Sequence, residues 1–356
     1  GKWFHRALIF LVVSCPCALV ISIPLSFFSG IGGASKAGIL VKGSNYLELL
    51  GKAKIAVFDK TGTLTKGVFK VVETCADGIS EDELAAYGEY YSNHPIAASI
   101  KAAYKGTVQI DHLDGYEEIS GMGIKVLKDG KEVLVGNKKL LDSRKISMAG
   151  AKQPSKVGTV LFVAENGAYK GCITIADEIK DGVKDAIASI KKCGIDNVVM
   201  LTGDKKEVAD SVAKELGIDT VCAELMPGDK VDKVEQLLRE KDEDSTLIFT
   251  GDGINDAPVL MRADVGIAMG AMGQDAAIEA ADIVLIDDDP GKIAVAYAIA
   301  RKTVRIVQQN IVFALAVKII VMVLGALGFA NMWAAVFADV GVAFLAIINA
   351  TRALKP

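Results

Sequence analysis

Several signatures are missing from this 356-residue chain, and each absence removes a class of function. No G-x-x-x-x-G-K-[ST] segment occurs, so nucleotide chemistry of the P-loop kind is not available. The formal net charge is −4, which gives no general electrostatic case for binding nucleic acid. Cys75, Cys172, Cys193 and Cys222 lack metal-ligand spacing and read as reduced structural thiols in a reducing compartment. Internal repeats, low-complexity tracts and long disordered linkers are absent. The chain opens on Gly1 rather than Met, and an apolar run follows almost at once with neither a basic leader nor a small-residue cleavage site. That run is expected to be a segment of a truncated membrane protein, not a secretory signal.

What is abundant is apolar length. The chain is 51% hydrophobic with a mean hydropathy of +0.35, yet 24% of it is charged. This mixture predicts membrane segments attached to ordinary water-facing domains. Residues 4–28, 306–329 and 332–350 each approach the ~20 residues a helix needs to cross ~30 Å of hydrocarbon. Lys36 and Lys42 follow the first span, Arg301, Lys302 and Arg305 precede the second, and Arg352 and Lys355 follow the third. By the positive-inside rule these flanks are cytoplasmic, and so is the large middle region.

That region alternates strand and helix. "KIAVFDK", "NVVMLTGD" and "STLIFTGDG" are short apolar runs that end in acid-bearing turns. Amphipathic stretches 181–193, 205–216 and 229–241 lie beside them. Alternating βα units predict a parallel, doubly wound sheet. Residues 67–170 have another texture, with a helical stretch near 80–105 and two hairpins around Asp-Gly and Asn-Gly turns. The expected organisation is a membrane helix and stalk (1–50), an α/β domain in two parts (51–66 and 171–292), an inserted α+β domain (67–170), and a stalk with two membrane helices (293–356).

Asp59 stands at the carboxyl end of its strand, where chemistry sits in open α/β sheets. Gly62 allows a tight backbone turn beside a phosphate. Two other strands lead to Thr202, Gly203 and Asp204 in "LTGD" and to Asp252, Asn255 and Asp256 in "TGDGIND"; Lys230 lies in "MPGDK". A carboxylate nucleophile, a hydroxyl, a lysine and further acids are the parts that phosphoryl transfer needs. Asp59 would attack a terminal phosphate. Asp59, Asp252 and the Thr61 carbonyl would hold Mg²⁺, with Asp256 fixing its water shell. Thr202 and Lys230 would hold the remaining phosphoryl oxygens.

These residues carry a resemblance. "DKTGTLT", "TGD" and "GDGINDAP" closely resemble the P-type ATPases, cation pumps built on the haloacid-dehalogenase fold, and "CPC" with "SNHPIA" points to their heavy-metal branch. The resemblance implies a multidomain membrane protein, with helical transmembrane segments, a haloacid-dehalogenase-like phosphorylation domain and an inserted nucleotide-binding domain, in a bacterial inner membrane. Related phosphatases carry a second aspartate where Thr61 stands; its loss slows hydrolysis of an aspartyl phosphate. The resemblance assigns ATP to Glu89, His94, Gly121 and Gly123, with Gly136 a weaker candidate. No T-G-E loop occurs, so the chain is expected to be the C-terminal portion of a pump, lacking the actuator domain and upstream helices.

In the first span, Cys15 and Cys17 flank Pro16. On an intact helix the two sulfurs would face nearly opposite sides. Local unwinding at the proline could turn both towards one soft or borderline metal. Lys318 and Asp339 lie inside the other spans, where an ionisable group costs roughly 2.5–3.5 kcal/mol and is a functional candidate by default. A carboxylate beside thiolates favours Zn²⁺ and its congeners over Cu⁺, and Lys with Asp resembles the zinc/cadmium/lead-exporting subgroup. Lys318 would then be a counter-ion. The alternatives are a membrane-tethered phosphatase, which Thr61 disfavours, and a non-enzymatic metal-binding membrane protein, which the phosphorylation set disfavours.

Overall fold

The computed structural model describes residues 2–76, 83, 85–86, 95–104, 113–148, 154, 157–252, 256–270 and 275–355. They form two compact units, one of residues 1–63, 181–203 and 213–356, the other of residues 64–180 and 204–212.

The first unit is built on a seven-stranded sheet. Its strands run in the order Ile39–Val41, Ile283–Leu285, Val265–Ala268, Thr246–Gly251, Ala53–Asp59, Asn197–Leu201 and Thr220–Cys222. All neighbours are parallel except the first pair. The central strands are continuously apolar because helices cover them. Val57, Val199, Leu201, Leu247 and Phe249 meet Val234 and Leu237 of the Pro227–Glu240 helix and Val259 and Leu260 of Ala257–Arg262. Ala53–Asp59 is an interior strand, flanked by the strands that lead to Asp252 and Thr202. Three carboxyl ends therefore open at one edge of the sheet.

Among the described residues the same unit contains three helical paths long and apolar enough to cross a membrane: Arg6–Lys36, Gly291–Leu327 and Met332–Leu354. The first is two helices, Lys2–Val13 and Cys17–Lys36, broken at Ser14–Pro16. Pro16 has no N–H to continue the ladder, and the Cys15 amide bonds only to the Val12 carbonyl, three residues back. The Gly291–Leu327 helix runs for 37 residues, about 55 Å, and so reaches well beyond the hydrocarbon thickness. Hydropathy locates only its apolar part, 306–329. Its hydrogen-bond ladder continues through "ARKTVR", whose Ala, Arg and Lys are good helix formers. It ends at Gly328, in the left-handed conformation at φ 87°. In the third path a wide i→i+5 turn, Phe337–Gly341, interrupts the helix around Asp339.

The second unit holds a six-stranded antiparallel sheet: Thr65–Ala76, Ala168–Ile179, Thr159–Glu165, Lys131–Gly136, Gly123–Lys128 and Leu113–Ile119. Its two expected hairpins turn at Asp129-Gly130 and Asn166-Gly167, all four residues with positive φ as a two-residue hairpin turn demands. One face packs Val126, Val133, Val135, Val163, Ile173 and Ile175 beneath Ile100 of the Pro95–Ala103 helix. The other packs Leu134 and Ala164 against Leu140 and Leu141 of Lys138–Ser143.

Candidate functional site

Three carboxylates meet at the end of the parallel sheet. Asp59, Asp252 and Asp256 each offer an oxygen within 4.8 Å of the others. Asp59 ends the interior strand Ala53–Asp59, and its side chain is buried. The chain then turns at once: Thr61 has φ −76°, ψ 127° and Gly62 has φ 77°, ψ −21°. These are the two central positions of a type II turn, and the second requires a residue at ease with positive φ. Space makes the same demand, because a Cβ on Gly62 would collide with the Asp252 carboxylate.

Lys230 enters from the first turn of the Pro227–Glu240 helix. Its Nζ donates to Asp59 Oδ1 at 2.5 Å and to Asp256 Oδ1 at 3.1 Å. Asp256 precedes the Ala257–Arg262 helix but does not cap it; its carboxylate faces Lys230 instead. One ammonium thus stands among three acids. Burial pushes the Asp59 carboxyl up to about 6, with repulsion from Asp256 adding to it, against the pull of Lys230. Burial alone would lower Lys230, but Asp59 and Asp256 together hold its ammonium above the usual value. Lys230 alone would lower Asp59, but burial and the neighbouring acids outweigh it. Oxygen donors with a charge deficit of this kind suit a hard divalent cation such as Mg²⁺.

Thr202 follows the Asn197–Leu201 strand and is buried, its amide bonded to the Cys222 carbonyl at 3.0 Å. Gly203 comes next. Asp204 belongs by its contacts to the second unit and is not one of the three clustered carboxylates. Asn255 lies outside the described residues.

In the second unit, a cavity of about 370 Å³ is lined by Glu118, Gly121, Gly123, Gly136, Asn137 and Leu161, among others. Gly123 and Gly136 are cross-strand partners whose backbones touch. A Cβ on Gly123, at φ 146°, would strike the Val135 carbonyl, and one on Gly136 the Met122 carbonyl. Asn137 joins the two sides: its Nδ2 donates to the Gly121 carbonyl at 2.9 Å, and its Oδ1 accepts from the Leu140 amide. Asn137 and Glu118 were not singled out by sequence reasoning. Asn137 had a signal in "VGN", a residue able to cap the helix that follows; Glu118 had none. Glu89 and His94 lie outside the described residues.

The membrane helices form another cluster. Cys15 Sγ, Cys17 Sγ and an Asp339 oxygen all lie within 4.8 Å of one another. The break at Pro16 turns the two thiols to one side, and the wide turn at Phe337–Gly341 presents Asp339 to them. Lys318 is 7% exposed, so its charge is answered by protein rather than water. Its Nζ donates to the carbonyls of Val13, at 3.1 Å, and Cys15, and lies 3.5 Å from Asp339 Oδ1.

The chain resembles known proteins along its whole length. Residues 53–264 match the family model described as haloacid dehalogenase-like hydrolase. The chain is 56% identical over its whole length to a cadmium, zinc and cobalt-transporting ATPase of Bacillus subtilis, of which it covers 51%. It is 53% identical, again over its whole length, to a zinc-transporting ATPase of Synechocystis sp., covering 49% of it. A crystal structure of a zinc-transporting PIB-type ATPase in the E2.Pi state superposes with a TM-score of 0.83 at 35% identity, over 99% of this chain and 58% of that one. The chain spans about half the length of the curated relatives it matches. It therefore belongs to the haloacid dehalogenase-like hydrolases and is similar along its whole length to metal-transporting P-type ATPases.

Proposed function

We propose that the chain is the phosphorylating, nucleotide-binding and ion-binding portion of a bacterial inner-membrane pump. The pump uses ATP to export divalent soft or borderline ions: Zn²⁺, Cd²⁺ and Pb²⁺. The Bacillus relative's name adds cobalt, another borderline divalent ion that a thiolate–carboxylate set accommodates. One observation carries the reading: a single unit contains both a largely buried three-aspartate cluster with a lysine and a cluster of two thiols and a carboxylate on its apolar helices.

An Asp59 carboxylate oxygen attacks the γ-phosphorus of ATP as the bond to the β-bridging oxygen breaks. ADP leaves, and the phosphoryl group is held on Asp59 as an aspartyl phosphate. Lys230 and Thr202 hold the phosphoryl oxygens. Asp59, Asp252 and the Thr61 carbonyl would hold Mg²⁺, which would supply positive charge against the developing negative charge, with Asp256 placed to orient water beside it. The family resemblance also assigns Gly203, Asp204 and Asn255 to nucleotide or phosphate contact. Thr61 offers no carboxylate to activate water, so the aspartyl phosphate persists long enough for a change of shape. Glu89, His94, Gly121 and Gly123 bind ATP, and Gly136 and Asn137 line the cavity that Gly121 and Gly123 share. The phosphorylation and nucleotide domains face the cytoplasm, and the actuator domain and further helices of the full-length protein complete turnover.

At the membrane site, two thiolates and the Asp339 carboxylate carry −3, and a divalent ion with Lys318⁺ makes the loaded site neutral. An uncompensated charge in a low-dielectric site is costly, which favours divalent over monovalent cargo. When the ion leaves, Lys318 stays beside Asp339 as its counter-ion. The 3.5 Å approach of Lys318 to Asp339 supports this role. The test is acid-stable labelling of the full-length protein from γ-labelled ATP. Label should appear with Zn²⁺ or Cd²⁺ and vanish in Asp59→Asn; undiminished label in that variant would sink the assignment.

A further inference from the structure

Asn310 is 1% exposed, in the apolar part of the Gly291–Leu327 helix. Its amide is fully engaged. Nδ2 donates to the Ala346 carbonyl at 3.0 Å and to Ser26 Oγ at 3.4 Å, and Oδ1 accepts from Asn349 Nδ2 at 2.9 Å. Ser26 Oγ donates in turn to the Ser22 carbonyl at 2.7 Å. Asn349 Oδ1 accepts from Arg352 Nη1 at 2.7 Å. One side chain thus bonds to the helix that begins at Cys17 and to the path that carries Asp339, and it sits on the helix that carries Lys318.

Between this polar layer and the thiol–carboxylate cluster lie Ala18, Ala314, Val342 and Ala343. Their side chains have no hydrogen-bonding groups. In lipid, apolar contact gives no hydrophobic drive, so helix register rests on close packing and interhelical hydrogen bonds. Asn310 and Lys318 are about 12 Å apart along their helix. Lys318 touches the ligand set itself, through Asp339 and the Cys15 carbonyl. Asn310's partners, Ser26, Ala346 and Asn349, all lie outside that set.

We propose that Asn310 is a positioning residue, the fixed point that holds the three helices in the register bringing Cys15, Cys17 and Asp339 onto one ion. The inference rests on reading those three residues as the metal site. It concerns the selectivity of that site as well as its affinity, because a slipped register alters the spacing of sulfur and oxygen donors. Ions that differ in size and softness respond unequally to such a change.

The test is Cd²⁺ and Zn²⁺ binding by equilibrium dialysis to the purified chain in detergent, with thermal unfolding measured alongside. The ultraviolet thiolate-to-cadmium band reports ligation directly. Asn310→Leu should weaken Cd²⁺ binding by about tenfold, the lower end for groups that orient metal ligands, and should change the Cd²⁺/Zn²⁺ affinity ratio. Asn349→Leu, which leaves the bonds to Ser26 and Ala346, should show a smaller change in the same direction. The double variant should bind no worse than Asn310→Leu, since both remove one network. A lower melting temperature with unchanged affinities and ratio would reduce Asn310 to a structural residue and overturn the proposal. Should Asn310→Leu fail to fold, unchanged affinity and ratio in Asn349→Leu overturn it equally. Cadmium binding by the unaltered chain that survives Cys15→Ser, Cys17→Ser and Asp339→Ala would instead refute the underlying metal site, whatever Asn310 does.

Discussion

Gly62 combines two demands that no other residue type meets: a positive φ and the absence of a Cβ beside Asp252. Alanine there would add backbone strain of roughly 1–2 kcal/mol and push the Asp252 carboxylate away from Asp59. Gly62→Ala should lower the rate of phosphoenzyme formation by about a hundredfold, the cost of misplacing a reacting group by an ångström, while ATP binding persists. Quench-flow labelling checks this. The Asp59 carboxyl supplies a second prediction. Its folded value, about 6, lies above the ordinary carboxylate value, so the folded state holds the proton more tightly than the unfolded chain. With Mg²⁺ chelated, stability should therefore fall as pH rises from about 4 to about 6, by something on the order of 1–3 kcal/mol, and level off above that. Asp59→Asn should flatten that part of the profile. Thermal melts across pH decide it, and identical profiles for the two proteins would remove Asp59 as the source.

Breaks in helices do as much as helices here. The interruption at Ser14–Pro16 turns Cys15 and Cys17 to one side, and the wide turn at Phe337–Gly341 brings Asp339 towards them. Pro16→Ala would restore the missing N–H and let the ladder run from Lys2 towards Lys36. The thiols would then return to nearly opposite faces. Cadmium affinity should drop by at least about tenfold in Pro16→Ala, with helix content slightly raised; dialysis and far-ultraviolet dichroism together test it. Gly341 adds to the wide turn, since a Cβ there would meet the Phe337 ring. The hairpin turns Asp129-Gly130 and Asn166-Gly167 were legible in sequence because two-residue turns have a narrow residue code. The wide turn at Asp339 was not: its residues "FADVG" carry no such code, and extra width in a helix comes from packing rather than local preference.

At the scale of the molecule, the second unit has its own sheet and its own two-sided core. Residues 64–180 expressed alone should fold and bind ATP weakly without Mg²⁺, because the clustered carboxylates belong to the other unit. Chemical-shift changes on adding ATP should fall on Gly121, Gly123, Gly136 and Asn137; stationary signals there with movement elsewhere would dismiss the cavity as the nucleotide site. In the full-length protein, Asp339→Ala should abolish metal-stimulated phosphorylation, whereas Lys318→Ala should bind metal but release it more slowly. Single-turnover release with elemental analysis separates the two, and unchanged behaviour of both variants would leave only the thiols as ligands.

The sequence by itself determined the parallel sheet, the order of its acid-bearing strand ends, the hairpins and the apolar spans. Those features follow from local periodicity and from turn residues with few alternatives. It also singled out Asp59, Asp252, Asp256 and Lys230, because strand ends in an open sheet converge by topology. Tertiary structure alone decided three things. It placed Lys230 between Asp59 and Asp256, although 171 residues of sequence separate it from the first. It joined Gly121 to Asn137 across a hairpin, through a bond no local pattern encodes. It tied Ser26, Asn310 and Asn349 into one buried layer, where a serine and two asparagines on separate apolar helices gave no sign of meeting. Each depends on contacts between segments distant in sequence, and in a membrane such contacts rest on packing and hydrogen bonds between helices.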